Sequence, residues 1–117
     1  MPLTFKKERS MIALNWNKEF AMEQAGDDEE LLQELLVIFK DSLKTDIGLI
    51  EQGLEEKNAG KISGAAHSIK GAAVSLGIQG INDVALVVEE DSRDGSLQVA
   101  ADNIDNLQEL LTQLKAL

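Results

Sequence analysis

One amphipathic segment, residues 27–58, constrains the fold of this chain most strongly. Its apolar side chains recur every three or four residues, which is the spacing of one face of an α-helix. The residues predicted to face the core are Leu31, Leu35, Phe39, Leu43, Ile47, Ile50 and Leu54. Asp27 and Glu30 resemble a capping box at its start, and the stripe keeps its phase past Gly48 and Gly53. The segment therefore predicts a continuous helix roughly 45 Å long.

A short helix is predicted before this segment and three longer helices after it. Their predicted ranges are 15–26, 59–76, 79–91 and 96–115. In chain order, the residues predicted to face inward are Trp16, Phe20 and Ala21; Ile62, Ala65, Ile69, Ala72, Ala73 and Leu76; Ile81, Val84, Ala85 and Val88; and Leu97, Ile104, Leu107, Leu111 and Leu114. Gly26 and Gly77 are predicted to end the helices that precede them, and residues 92–95 to form a turn.

These segments predict an all-α protein. No segment alternates apolar and polar residues with a period of two, so no strand is expected. The connections are short, which favours antiparallel packing of consecutive helices. We expect an antiparallel up-down-up-down four-helix bundle with a short extra N-terminal helix, spanning residues 15–117, and an N-terminal tail over residues 1–14. The 117 residues fit one domain, and a 44% hydrophobic content with 3% aromatics suits aliphatic helix packing.

The charge of the chain limits its partners. Its formal net charge is −10, which disfavours nucleic acids and anionic membranes as partners. The longest uncharged run, residues 71–82, is too short to span a bilayer. Basic residues 6, 7 and 9 precede only the short apolar stretch 11–14, so no signal peptide is predicted. We expect a cytoplasmic monomer. Without cysteine there is no disulfide framework and no thiolate metal site.

The only histidine, His67, lies in a helical run flanked by glycines, although glycine destabilises a helix interior by about 0.5–1 kcal/mol relative to alanine. At about 100° per residue, His67 lies opposite the apolar face and should be exposed. The residues that share its face are Gly60, Ser63, Gly64, Lys70, Gly71 and Val74. Small residues around an exposed imidazole would let another macromolecule approach it. The alternatives are a surface histidine without a function, and glycines that are merely tolerated or that admit a neighbouring helix.

Other chemistries fit the sequence poorly. A zinc site needs more ligands than one histidine without cysteine or suitably spaced carboxylates. A hydrolase triad would need a glycine-elbow serine on a strand scaffold. The glycines do not form a phosphate-binding loop, because no strand precedes them and GxxxxGK is absent. No nucleotide site is therefore predicted.

Three stretches of the chain carry a family resemblance. "HSIKGAAVSLG", residues 67–77, resembles the core motif of histidine-containing phosphotransfer (HPt) domains, with matches at His67, Lys70, Gly71 and Gly77. "INDVALVVEE" is similar to the next helix of the family, and "AGDDEELLQELLVIF" to its opening. The resemblance covers roughly residues 15 to 114.

There are departures from the family pattern. Ala85 stands where many members have a cysteine, at a position predicted to face the core. Glu89 falls where chemotaxis-kinase-type members carry a glutamate beside the histidine, whereas some other members have glutamine. The polar neighbour of His67 would then be anionic.

The resemblance implies a mechanism. His67 would accept a phosphoryl group from a receiver-domain aspartate, or from a histidine kinase system, and pass it to a response-regulator aspartate. Lys70 would offset the charge of the phosphoryl oxygens, and Glu89 would orient the imidazole through a hydrogen bond. The predicted partners are receiver domains and a sensor histidine kinase. The chain would not be an enzyme with its own ATP site and would need no cofactor, because Mg²⁺ would come with the receiver.

Alternatives remain for the residues and for the function. Lys70 could be an ordinary surface lysine, and Glu89 a solvated acid in an acidic run. The residues predicted to dock a partner are Gly60, Ser63, Gly64, Gly71 and Val74, with Leu86 and Val87 as additions. The chain could instead be a helical adaptor that binds receivers or kinases without phosphotransfer, although an adaptor needs neither His67 nor Lys70. A phosphohistidine phosphatase is a third possibility, but no second catalytic group supports it.

Overall fold

The computed structural model describes residues 12–117. Within this range the chain forms five α-helices and no β-strand, which confirms the all-helical prediction. The helices are α1 (Lys18–Gln24), α2 (Glu29–Glu56), α3 (Ala59–Ser75), α4 (Gln79–Arg93) and α5 (Gln98–Lys115). None of these helices is long and apolar enough to cross a membrane.

The four long helices surround one aliphatic core. Each packs against two others, because α2 contacts α3, α3 contacts α4, α4 contacts α5, and α5 returns to α2, while α1 packs against α2. The largest fully buried side chains are Leu32, Leu36, Leu43, Ile47, Ile50, Ile62, Ile69, Ile78, Ile81, Leu107, Leu110 and Leu114. Burial of each such side chain contributes about 1.5–3 kcal/mol toward folding. The core therefore holds α3 and α4, the two helices that carry the candidate site, side by side.

The first two turns of α2 bury different leucines from those predicted. Leu32 and Leu36 are in the core, whereas Leu31 is exposed and Leu35 is half-buried. The predicted set advances from residue 31 to residue 47 in steps of four, and each such step drifts by about 40° around a helix of 3.6 residues per turn. A mixture of steps of three and four keeps one face inward. From Phe39 to Ile50 the predicted residues are buried, and Leu54 is half-buried.

The start of α2 also differs by one residue from the prediction. Asp28, not Asp27, is the N-cap, and its Oδ1 accepts hydrogen bonds from the backbone N–H groups of Glu30 (3.0 Å) and Leu31 (3.2 Å). Asp27 lies before the helix with a φ of 61°. Two adjacent aspartates offer two possible caps, and the structure uses the second.

Gly77 ends α3, as predicted. It has a φ of +68°, and its N–H donates to the carbonyl of Val74. The N–H of Ile78 donates to the carbonyl of Ala73 at 2.9 Å. Together these bonds form a Schellman motif, in which a left-handed residue lets the chain reverse at the end of a helix. The motif leads directly from α3 into α4.

The segment before α1 packs on the bundle. Leu14 is buried, and its carbonyl accepts a hydrogen bond from the N–H of Gly80 at 2.7 Å. The indole of Trp16 donates to the carbonyl of Leu76 at 2.9 Å. The predicted boundary at residue 15 therefore falls inside the packed unit, because residues 12–14 belong to it. The rest of the predicted tail, residues 1–11, lies outside the described residues.

Of the residues predicted to face inward from the short first helix, Ala21 is buried and Phe20 is half-buried. Trp16 is also half-buried but lies before α1, which begins at Lys18. The helix ends at Gln24, two residues before Gly26. Gly26 has a φ of +65°, which suits the reversal that leads into α2.

All four residues predicted to face inward from α4 are buried: Ile81, Val84, Ala85 and Val88. The helix continues to Arg93, so the turn predicted over residues 92–95 starts later. Ser92 is buried, and its hydroxyl donates to the carbonyl of Val88 at 2.7 Å. The two extra residues bring Arg93 to the side of Glu89 and His67, where α4 borders α3.

The last helix, α5, begins at Gln98 and buries Leu107, Leu111 and Leu114 as predicted. Leu97 and Ile104, also predicted to face inward, are half-buried, and Ala100 and Leu110 join the core.

Candidate functional site

His67 lies in the middle of α3 with its imidazole in solvent, as its helical position predicts. The side chain is 70% exposed. Its Nδ1 lies 2.8 Å from Oε2 of Glu89, which reaches across from α4. One ring nitrogen is therefore held by the protein, while the other is on the outward side of the ring.

Glu89 is the buried centre of the site. Its side chain is only 3% exposed and lies within contact of three other polar groups. Lys70 Nζ lies 2.6 Å from Oε1 in an ion pair. Arg93 Nη2 donates to Oε2 at 2.7 Å, one helical turn along α4. Glu89 is therefore not the solvated acid that the acidic run allowed, and Lys70 is a partner of Glu89 rather than a free surface lysine.

The cations fix the charge of Glu89. The pKa of Glu89 is lowered to about 2, chiefly by the Lys70 ammonium and further by hydrogen bonds from His67 and Arg93, while burial acts in the opposite direction. Glu89 is thus a carboxylate at neutral pH and can only accept hydrogen bonds. The proton of a neutral His67 ring must then be on Nδ1. This assignment leaves the lone pair on Nε2, which is the nitrogen turned outward.

The depressed pKa of Glu89 predicts a stability effect with a defined pH range. Because its pKa in the folded protein is about 2 against an ordinary value of 4.5, the ionised side chain stabilises the fold above pH 4.5. This contribution, on the order of 3 kcal/mol, is lost as the pH falls from 4.5 toward 2. The difference in unfolding free energy between the wild type and Glu89→Gln should be constant above about pH 5 and shrink below it. Urea denaturation from pH 7 to pH 3 measures it, and a difference independent of pH would contradict the assignment.

The face around His67 is open, as predicted. Gly60, Gly64, Gly71 and Val74 are exposed, and Ser63 is half-buried. A Cβ added at Gly64 or Gly71 would meet no side chain and no other helix within 4 Å. These glycines therefore do not admit a neighbouring helix.

Two other glycines of the chain do make room for close packing. A Cβ at Gly53 would lie 2.6 Å from Ile62 Cγ1, where α2 and α3 approach closely, and one at Gly80 would overlap the backbone of Ala13 and Leu14. The bundle thus uses glycine for packing elsewhere, and the glycines beside His67 have a different environment.

Exposed apolar side chains also occur near the site. Val74 on α3 and Leu86 and Val87 on α4 are all exposed. Leu86 lies three residues before Glu89, which places it on the same side of α4. The docking role of this surface stays a prediction.

The sequence did not predict two charged residues of this region, Arg93 and Asp46. Arg93 could have been found from its spacing, because a residue four positions after Glu89 lies on the same helical face. Asp46 on α2 is buried, and this burial raises its pKa, while a hydrogen bond with Ser68 acts to lower it. Asp46 had no sequence signal, since an aspartate inside a long charged helix is ordinarily exposed. Within residues 12–117 no cluster of three or more histidine, cysteine, aspartate or glutamate side chains could hold a metal ion.

The fold and the site together define an all-helical module that presents one exposed histidine, oriented by a buried carboxylate. A sequence model of the Hpt domain matches residues 34–117. The chain therefore belongs to the Hpt domain family.

One solved structure supports the fold. It is the HPt domain from the Hpt sensor hybrid histidine kinase from Shewanella, with a TM-score of 0.71 and 18% sequence identity. The match covers 87% of this chain and 92% of that one. At this identity the likeness shows the fold alone. A comparison with curated protein sequences gives no match.

Proposed function

We propose that this protein is a phosphorelay intermediate that carries a phosphoryl group on Nε2 of His67. One observation supports this most: the buried, ionised Glu89 accepts the hydrogen bond of Nδ1 and leaves the Nε2 lone pair toward solvent. A receiver-domain phospho-aspartate is the proposed donor and a second receiver aspartate the acceptor. A sensor histidine kinase would supply the phosphoryl group upstream.

The proposed transfer requires no movement of a proton within this chain. The Nε2 lone pair forms the N–P bond while the O–P bond of the phospho-aspartate breaks, and that electron pair leaves on the aspartate carboxylate. The ring becomes positively charged and keeps its proton on Nδ1, where the Glu89 carboxylate balances it. In the delivery step the ring departs as a neutral imidazole. The same geometry thus serves both directions of transfer.

Lys70 is the proposed electrostatic partner of the phosphoryl group. It lies one helical turn after His67, and its ammonium pairs with Glu89, the carboxylate that also contacts the His67 ring. An ammonium has three N–H donors, so it can remain paired with the Glu89 carboxylate and also contact a phosphoryl oxygen. Fixed positive charge of this kind stabilises a transferring phosphoryl group.

The proposal extends to the metal ion, the location and the oligomeric state of the protein. Mg²⁺ would belong to the receiver, and the chain would act as a cytoplasmic monomer. We also infer an antiparallel up-down-up-down order of the four long helices, because their connections are only two, three and four residues long.

The direct test is transfer from charged receivers. A panel of receiver domains from the source organism is phosphorylated with labelled acetyl phosphate and Mg²⁺, then mixed with the protein. Label should move to the protein in an acid-labile, alkali-stable linkage, as expected of a phosphoramidate, and no label should come from ATP alone. Tight binding of a receiver without transfer would support a helical adaptor instead. Continuous release of inorganic phosphate by this chain would support a phosphatase.

The open glycine beside the site predicts a selective effect on docking. Gly71→Leu replaces a poor helix former with a good one and meets no packed neighbour, so its thermal midpoint should stay within a few degrees of the wild type. The added side chain should nevertheless weaken receiver binding by roughly tenfold or more, because it fills space next to His67. Gly48→Leu is the matched control, since Gly48 also lies open inside a helix. Calorimetric binding and thermal melts measure both effects, and normal receiver binding by folded Gly71→Leu would refute the docking role.

A further inference from the structure

Glu89 faces two cations, and only one of them belongs to the predicted site. Lys70 contacts Oε1, whereas Arg93 shares Oε2 with the His67 ring. A carboxylate paired with a single ammonium forms a neutral unit. The second cation leaves a surplus of one positive charge beside the imidazole. This surplus occurs in a chain whose net charge is −10.

We propose that Arg93 is a positioning residue that neutralises Glu89 and so keeps the charge of Lys70 available to the phosphoryl group. This proposal rests on the proposed function. A phosphoryl group brings about −1.5 to −2 charges at neutral pH. If Lys70 alone balanced the buried carboxylate, contact with the phosphoryl group would weaken its attraction to Glu89. Arg93 supplies the counter-charge that Glu89 then needs.

The geometry favours an indirect role for Arg93. Its guanidinium donates to the same oxygen that accepts the Nδ1 proton, which is on the side of the ring away from Nε2. The side chain is 62% exposed, so its removal opens no cavity in the core.

The test separates the chemistry from docking by using a small donor. Potassium phosphoramidate has no protein surface, and its P–N bond breaks with loss of ammonia as the Nε2–P bond forms. Arg93→Gln and Arg93→Met should both slow labelling of His67, by roughly three- to thirtyfold. Arg93→Lys should restore most of the rate. Lys18→Gln is the control, because it removes one positive charge from another surface ion pair, with Glu29.

A double-mutant cycle with Glu89 identifies the route of the effect. In Glu89→Gln the buried carboxylate is absent, so Lys70 has no negative charge to balance there. Arg93→Gln should then change the labelling rate less than twofold. An equal slowing by Arg93→Gln in both backgrounds would overturn the proposal in favour of direct contact with the phosphoryl group. No slowing in either background would also overturn it.

Failure of the proposed function has a different signature. The wild type would then take no label from phosphoramidate or from charged receivers, or would take it at a residue other than His67. A wild type that transfers normally beside an equally fast Arg93→Gln rejects only the role of Arg93. Thermal melts of every variant exclude unfolding as the cause, because a loss of fold would also lower the rate in the Glu89→Gln background.

Discussion

His67→Gln should take no label from any charged receiver, while it keeps the fold and the receiver affinity of the wild type. The imidazole is mostly in solvent and contributes one hydrogen bond, to Glu89, so its loss removes little packing. Glutamine can donate to the same carboxylate through its amide but has no nucleophilic nitrogen. The substitution is therefore expected to abolish transfer and to change the stability only slightly. Labelling, thermal melts and calorimetric binding on one preparation measure the three quantities.

The nature of the linkage adds a second check to this substitution. If His67→Gln still accepts label, the phosphoryl group is on another residue. An acid-stable linkage would point to a serine or threonine, and a linkage labile in both acid and alkali to a carboxylate. Ser68 is the nearest hydroxyl in sequence, so Ser68→Ala is the matched control and should label like the wild type. Loss of labelling in Ser68→Ala with normal labelling in His67→Gln would reject the assignment of the carrier.

The sequence predicted the helices well because the signals for them are local. The glycine at the end of α3 and the aliphatic face of α4 follow from residues close together in the chain, and both are observed. The inward face of the first turns of α2 was missed, because "LLQELL" contains two stripes displaced by one residue. Both stripes have helical spacing, so contacts with other helices decide which one is buried. That information is not local.

The candidate site divides in the same way. The exposure of His67 and the position of Lys70 follow from the geometry of one helix. The environment of Glu89 depends on how α4 packs against α3. The sequence therefore favoured neither alternative clearly, that Glu89 is a solvated acid or that it is a partner of His67. The ion pair with Arg93 depended in addition on α4 continuing past residue 91. Burial of one carboxylate among three polar partners is thus the feature that needed the tertiary structure.

Lys70→Ala should slow phosphoryl transfer by roughly ten- to a thousandfold, the range expected for removal of one fixed electrostatic contact to a developing charge. The ammonium is the cation that most lowers the pKa of Glu89, and it lies on α3 one turn from His67. Its loss leaves Glu89 paired with Arg93, so the carboxylate keeps a cation and the imidazole keeps its hydrogen bond. The effect should therefore fall on the rate of transfer and not on the affinity for the receiver.

A second lysine of α3 provides the control for this prediction. Lys61 is 29% exposed, close to the 27% of Lys70, and forms an ion pair with Glu56 at 2.8 Å. Lys61→Ala removes the same side chain from the same helix, but its partner is half-exposed on α2 and not the carboxylate beside His67. Rapid-quench transfer from a charged receiver should show the slowing in Lys70→Ala only. Equal slowing in both variants would mean that general charge steers the receiver, and a normal rate in folded Lys70→Ala would remove this lysine from the site.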